Sequence, residues 1–217
     1  VQGKGFLFDL DGTLIDSLPV VELAWGNWAT RRGVPVEQVF DFIHGKQAIT
    51  SLRHFMPGAS EQEIQSEFSL LEAFEAGCTD GVTALPGAAA LLERLTELNI
   101  PWAIVTSGSL PVASSRLKAG NLPLPECLIT AEQVARGKPQ PDAYLLGASR
   151  LGLSPADCIV VEDAIAGIQS GLAAGSPVIA VNPPAHTPQL DAVAMHISAL
   201  TQLLVEPDNH GFRVSKA

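Results

Sequence analysis

The stretch Lys4-Gly5-Phe6-Leu7-Phe8-Asp9-Leu10-Asp11-Gly12-Thr13 decides how this chain is read. Its apolar half has the composition of a buried strand, and two carboxylates follow at once. Side chains alternate along a strand, so residues two apart share a face, and Asp9 and Asp11 can be aimed into one pocket at the strand's end. Asp11-Gly12-Thr13 then supplies turn chemistry, because glycine tolerates backbone angles closed to other residues. In an α/β sheet, sites are expected at the carboxyl ends of strands. A plain surface turn also carries acids, so the weight falls on what the rest of the chain adds.

Working outward, apolar runs of strand type recur at 5–10, 101–106, 127–130, 158–161 and 177–181. Helical patterns lie between most of them. Residues 88–98 carry Leu91, Leu92, Leu95 and Leu98 as a stripe at helical spacing, and 142–151 and 164–174 behave similarly, with Gly152 and Gly175 as natural stops. Strand alternating with helix predicts an α/β fold, a parallel sheet covered on both faces. The stretch 16–83 differs: it has candidate helices at 19–32, 36–43, 46–55 and 61–76, and no convincing strand. Ser60 and Glu63 form a capping-box pattern before the last of these. The expected organisation is a catalytic core of 1–15 and 84–217 with a helical cap, 16–83, inserted after the first strand. A cap placed there overhangs the acidic pocket and can serve as a lid. The segment 206–214 reads as a polar turn with a short edge strand.

Composition narrows the function classes. The 217 residues are 47% hydrophobic and 17% charged, with a formal net charge of −10. An acidic chain is a poor tracker of nucleic-acid backbones, although a local positive pocket can still take a small phosphorylated substrate. Cys78, Cys127 and Cys158 are widely spaced, with no CxxC pair, and predict free thiols in a reducing compartment. No apolar run is long enough to span a membrane, and a soluble, cytoplasmic protein without membrane or nucleic-acid partners, monomeric or weakly dimeric, is expected.

The chemistry is carried by several polar segments at or near strand ends. Asp9 and Asp11 leave the first strand, Thr106-Ser107-Gly108-Ser109 another, and Glu162-Asp163 a third, while Lys138 sits in the polar segment 136–142. Four converging carboxylates repel one another by about 4 kcal/mol per pair at roughly 4 Å and an effective dielectric near 20, so a cation is required. An all-oxygen donor set favours a hard ion, Mg²⁺ foremost. The hydroxyls and amides of 106–108, before a helix N-terminus, suit phosphate oxygens. Metal, lysine and donors together describe a site for a transferring phosphoryl group, with one carboxylate able to act as nucleophile and the other as acid and base. Singly, each segment has an ordinary reading: acids at a helix start, a solvated loop, a serine cap.

In order along nearly the whole chain, these segments resemble the four motifs of the haloacid dehalogenase superfamily. Asp9-Leu10-Asp11-Gly12-Thr13 matches the first, Thr106-Ser107-Gly108 the second, Lys138-Pro139 the third and Glu162-Asp163 the fourth. Within it the chain resembles the β-phosphoglucomutase-like subfamily, and among these most of all the bacterial sugar and hexitol phosphatases, which implies a Rossmann-like core with a helical cap inserted after the first strand. The resemblance implies Asp9 as nucleophile and Mg²⁺ ligand, and Asp11 as general acid/base with its carbonyl on the metal. It also implies Lys138 as the orienting cation, Asp163 with Glu162 as metal holders, and Thr106 or Ser107, the former favoured, as phosphate ligand beside Gly108. In the cap, the polar loop His44-Gly45-Lys46-Gln47 corresponds to one that reaches over the site in relatives. Lys46 is the expected leaving-group contact, with His44 and Arg53 behind it. Trp25 and Trp28, three apart, are read as packing before sugar stacking. Mutases of the subfamily carry a histidine twelve residues after the nucleophile; here that residue is Val21, which favours a phosphatase. A β-phosphoglucomutase-type mutase, a phosphatase for phosphoglycolate or glycerol phosphate, and a non-catalytic scaffold are the alternatives.

Overall fold

In the computed structural model, which describes residues 1–217, the chain opens with β1 (Gln2–Gly3), β2 (Gly5–Phe8) and β3 (Ile15–Asp16). Four helices follow: α1 (Leu18–Arg32), α2 (Val36–Ile43), α3 (Ala48–Phe55) and α4 (Glu61–Gly77). Then come β4 (Thr83–Ala84), α5 (Ala88–Glu97), β5 (Trp102–Val105), α6 (Leu110–Ala119), β6 (Leu128–Ile129), α7 (Asp142–Arg150), β7 (Cys158–Glu162) and α8 (Ile165–Ala173). The chain ends in β8 (Val178–Val181), β9 (Met195–Ile197), β10 (Leu203–Asp208) and β11 (Gly211–Lys216).

Six of the strands form a parallel sheet in the order β6-β5-β2-β7-β8-β9, as the strand–helix alternation predicts. The apolar run of β2 has no polar alternation because both its faces are covered. Phe6 and Phe8 pack with Ile104, Ile159 and Val161 against Leu91, Leu92 and Leu95 of α5 and Leu117 of α6. Leu7 points the other way, with Val105 and Val160, onto Tyr144 and Ala148 of α7 and Ile168 of α8. Each such side chain contributes about 1.5–3 kcal/mol by leaving water. Register sets Phe8 opposite Ile104 and Val161, so Asp9 leaves β2 level with Glu162 of β7 and one residue short of Thr106 after β5.

Helices α1–α4 bury a cluster of their own, including Trp25, Trp28, Val39, Ile43, Leu52, Ile64 and Leu71. Trp25 and Trp28 meet edge to face at 5.6 Å inside it, in keeping with a packing role. The capping box forms: the Glu63 amide donates to Ser60 Oγ at 3.2 Å and the Ser60 amide to Glu63 Oε2 at 2.8 Å. At the root of this segment β3 and β4 pair antiparallel, Ile15 with Ala84 and Asp16 with Thr83, a ladder too short to show in the sequence.

Two further features exceed the sequence reading. Met195–Ile197 adds a sixth strand to the sheet, and the C-terminal segment is a full hairpin, β10 with β11, extended by β1. Phe212 explains the hairpin: its ring stacks on Phe6 at 4.8 Å and closes one face of the core. The three cysteines are unpaired, and no helix is long and apolar enough to cross a membrane.

Candidate active site

Lys138 organises the centre of the site. Its loop is stapled at both sides: Arg136 makes a two-pronged contact to Asp142 at 3.1 and 2.7 Å, and Ser170 Oγ donates to the Gln140 carbonyl at 2.6 Å. So held, Lys138 reaches beneath the sheet ends and is 2% exposed. Its Nζ donates to Asp9 Oδ1 at 2.8 Å, to Glu162 Oε1 at 2.8 Å and to the Val105 carbonyl at 3.0 Å. An ammonium has three protons, and all three are used. Burial alone would lower its pKa, but the charges of Asp9 and Glu162 outweigh burial and hold it above the ordinary lysine value.

Glu162 is fully buried at the end of β7, and both its oxygens are engaged. Oε1 also accepts from the Tyr144 hydroxyl at 2.7 Å, and Oε2 accepts from the amides of Asp163 and Ala164 at 3.1 and 3.3 Å. Gly167, in the first turn of α8, packs directly on this carboxylate, and a Cβ there would run into it. Replacing a helical glycine by alanine ordinarily stabilises, by up to about 1 kcal/mol. At Gly167 the sign reverses: Gly167→Ala is expected to cost about 1–3 kcal/mol in denaturant unfolding, because Glu162 is pinned by four donors and cannot yield.

Asp163 points toward Asp9. Thr13 Oγ1 donates to Asp163 Oδ1 at 3.0 Å, and Gly12, at φ +86°, turns the chain so closely past that carboxylate that no side chain fits. Asp9, Glu162 and Asp163 can each direct one oxygen so that all lie within 4.8 Å of one another. Burial pushes the Asp9 carboxyl up to about 7, with Glu162 adding to the shift and Lys138 opposing it. Asp163 is driven well above the carboxylate range by burial and then by the charges of Asp9 and Glu162. One lysine does not neutralise this set. An all-oxygen cluster short of positive charge fits a hard divalent cation.

Asp9 and Asp163 line a cavity of about 730 Å³, within the range of small-molecule sites, between the sheet ends and helices α1–α4, with Lys138 and Glu162 buried behind them. Thr106, Ser107, Gly108, His44, Gly45 and Lys46 all line it, as do Asp9, Asp11 and Asp163. Thr106 Oγ1 accepts from the Gly108 amide at 3.0 Å, and Ser107 Oγ donates to the Gly45 carbonyl at 2.9 Å, drawing the 44–47 loop onto the core. Lys46 donates to the Phe42 carbonyl at 2.7 Å and lies 3.9 Å above the Phe42 ring. His44 is held below the ordinary histidine value by burial, against the charges of Glu22 and Asp41.

Arg53 is not brought to the site. Its neighbours Ser51 and Leu52 take the buried face of α3, which turns Arg53 outward to pair with Glu61 on the surface. Two functional candidates, Arg116 and Ser17, are absent from the sequence reading. Arg116, on α6 and 4% exposed, lies 3.0 Å from Asp11 Oδ1 through Nε and forms an ion pair with Glu75 of α4. Ser17 Oγ donates to the same Asp11 oxygen at 2.7 Å. Ser109, already among the polar residues that follow β5, precedes α6 and lines the cavity, and its buried hydroxyl has no partner. The signal for Arg116 is its place between Ala113 and Leu117 on a helix face otherwise apolar.

Comparison with known proteins agrees with this geometry. Residues 4–175 match the family of haloacid dehalogenase-like hydrolases. The chain is 63% identical over 208 residues to hexitol phosphatase A of Escherichia coli (strain K12), covering 96% of each. It is 37% identical over 177 residues to validoxylamine A 7'-phosphate phosphatase of Streptomyces hygroscopicus subsp. limoneus, covering 79% of this chain and 82% of that one. Its fold superimposes on β-phosphoglucomutase from Clostridium difficile with a TM-score of 0.84, at 23% identity and 94% coverage of both. With its acidic strand-end cluster, its buried lysine and a match over most of its length, the chain belongs to the haloacid dehalogenase-like hydrolases.

Proposed function

We propose that this protein is a Mg²⁺-dependent phosphatase that hydrolyses small sugar or sugar-alcohol monophosphates through an aspartyl-phosphate. The observation that carries the reading is a ligand-sized cavity lined by Asp9 and Asp163, with Asp9 bridged from behind through the buried Lys138 to Glu162. The high identity to a hexitol phosphatase supports the substrate class. Segment 16–83 is the cap over that cavity, and 1–15 with 84–217 the core.

Asp9 attacks phosphorus through a carboxylate oxygen, in line with the departing ester oxygen. Lys138 fixes the rotamer of that carboxylate and offers positive charge to the phosphoryl group. The bond from phosphorus to the sugar oxygen breaks, and Asp11 donates a proton to the alkoxide. Asp11 then takes a proton from water, whose oxygen attacks phosphorus; the bond to Asp9 breaks, and inorganic phosphate leaves. Thr106, Ser107 and Gly108 hold the non-bridging oxygens at the start of α6. Lys46, freed from Phe42, meets the leaving group, with His44 and Gly45 closing the loop over it. Asp9, Asp163 and the Asp11 carbonyl would hold the metal, and Glu162, in the same cluster, orients Lys138 and the Asp163 backbone. Bound there, Mg²⁺ supplies charge that offsets the carboxylates and the transferring phosphoryl group. Val21, which lines the cavity where the mutases place histidine, supports hydrolysis over transfer.

The test is phosphate release from hexose, hexitol, glycerol and glycolate phosphates, with Mg²⁺ and with EDTA. Metal-dependent release led by hexitol or hexose phosphates is expected. Conversion of β-glucose 1-phosphate to the 6-phosphate without release would make the protein a mutase. Asp163→Asn is expected to raise the Mg²⁺ concentration for half-maximal rate about tenfold or more, through loss of a charged ligand.

A further inference from the structure

The cavity holds few cations, and both are occupied. Lys46 is turned onto the Phe42 carbonyl and ring and adjoins Gly45, which touches Ser107 at the phosphoryl end. Arg116 is buried between Asp11 and Glu75, so its charge is already matched by two carboxylates. From Glu75, one turn along α4 away from the core, the wall carries Glu72, a lining acid that makes no ion pair. An ionised carboxylate only accepts hydrogen bonds. Such a wall satisfies the hydroxyls of a polyol, all of which can donate, and repels a group that is itself an anion.

We infer that Glu72 and Glu75 make the cavity selective for phosphomonoesters whose far end is uncharged, rejecting those that carry a second anionic group. This rests on the phosphatase reading above and names the charge rule within it. Arg116 is the one guanidinium placed to receive a distal carboxylate or phosphate, and Glu75 keeps it engaged. The cap helix α4 therefore sets specificity by charge, independently of the metal centre.

The experiment compares kcat/KM for glucitol 6-phosphate and gluconate 6-phosphate, which share a carbon chain and differ only in a hydroxymethyl or carboxylate terminus. Like charges about 6–7 Å apart near a protein surface interact strongly enough for a tenfold effect. The wild-type ratio is expected to favour the polyol ester by about tenfold or more. Glu72→Gln and Glu75→Gln are each expected to shrink that ratio about threefold or more. The ratio is taken within one preparation, so any loss of folded enzyme cancels, and Glu72→Gln, at the half-exposed position, covers poor folding of Glu75→Gln. A wild-type ratio near one, or a ratio unchanged in both variants, overturns the inference. Turnover of p-nitrophenyl phosphate with neither six-carbon ester cleaved also overturns it, but leaves the phosphatase chemistry standing. Silence on all three esters overturns both.

Discussion

Asp9→Asn is expected to slow phosphate release by ~10⁴-fold or more while the protein stays folded. Removing a nucleophile that works as a unit with its neighbours costs losses of this size in comparable enzymes. The carboxamide keeps the shape of the side chain and can still meet Lys138, which retains Glu162 and the Val105 carbonyl as acceptors. One carboxylate fewer in a crowded acidic cluster also relieves repulsion. Thermal unfolding of the metal-free variant should therefore occur at or above the wild-type temperature. A variant both inactive and strongly destabilised would show that Asp9 holds the structure rather than the chemistry. Full activity would remove it from the mechanism.

Lys138→Met should cost more stability than any other single change at the site. Methionine fills the channel but leaves Asp9 and Glu162 buried, adjacent and unpaired. Breaking a buried pair from one side typically costs about 3–5 kcal/mol. Urea unfolding at neutral pH is the measurement, with an unchanged m-value showing that stability and not compactness has moved. Because the folded protein holds Lys138 above its ordinary pKa, its contribution is complete below that ordinary value. It fades only as pH rises through the higher folded one. The wild-type–variant gap should nevertheless widen as pH rises from 6 to 9, because without Lys138 the Asp9 carboxyl, already raised to about 7 by burial, is pushed higher still and its ionisation costs the variant more. Activity falls as well, since Asp9 loses the donor that orients it.

What could be read from the sequence, and what could not, follows from how far each signal reaches along the chain. Asp9, Asp11, Thr106, Glu162 and Asp163 were legible because strand position and polarity are local properties. A buried parallel strand is an uninterrupted apolar run, and the first polar residue after it marks the sheet's end. Lys138 was legible only with its companions, as a lone lysine in a loop carries no such mark. Arg116 and Glu75 are 41 residues apart, on two different helices. Their pairing comes from the docking of α4 on α6, which no periodicity encodes. Arg53 failed in the opposite direction: a charge near a functional loop was expected inside, but the helix phase set by Leu52 sends it to solvent. Strand β9, three residues at the sheet's edge, is too short and too mixed to stand out.

In the proposed mechanism the phosphoryl group passes through Asp9. Acid quenching during turnover of glucitol 6-phosphate with Mg²⁺, followed by peptide mass spectrometry, reads it directly. The mass of one phosphoryl group is expected on the peptide that holds Asp9, absent with EDTA and absent in Asp9→Asn. A phosphoryl group on another residue, or steady release by Asp9→Asn at the wild-type rate, would contradict it.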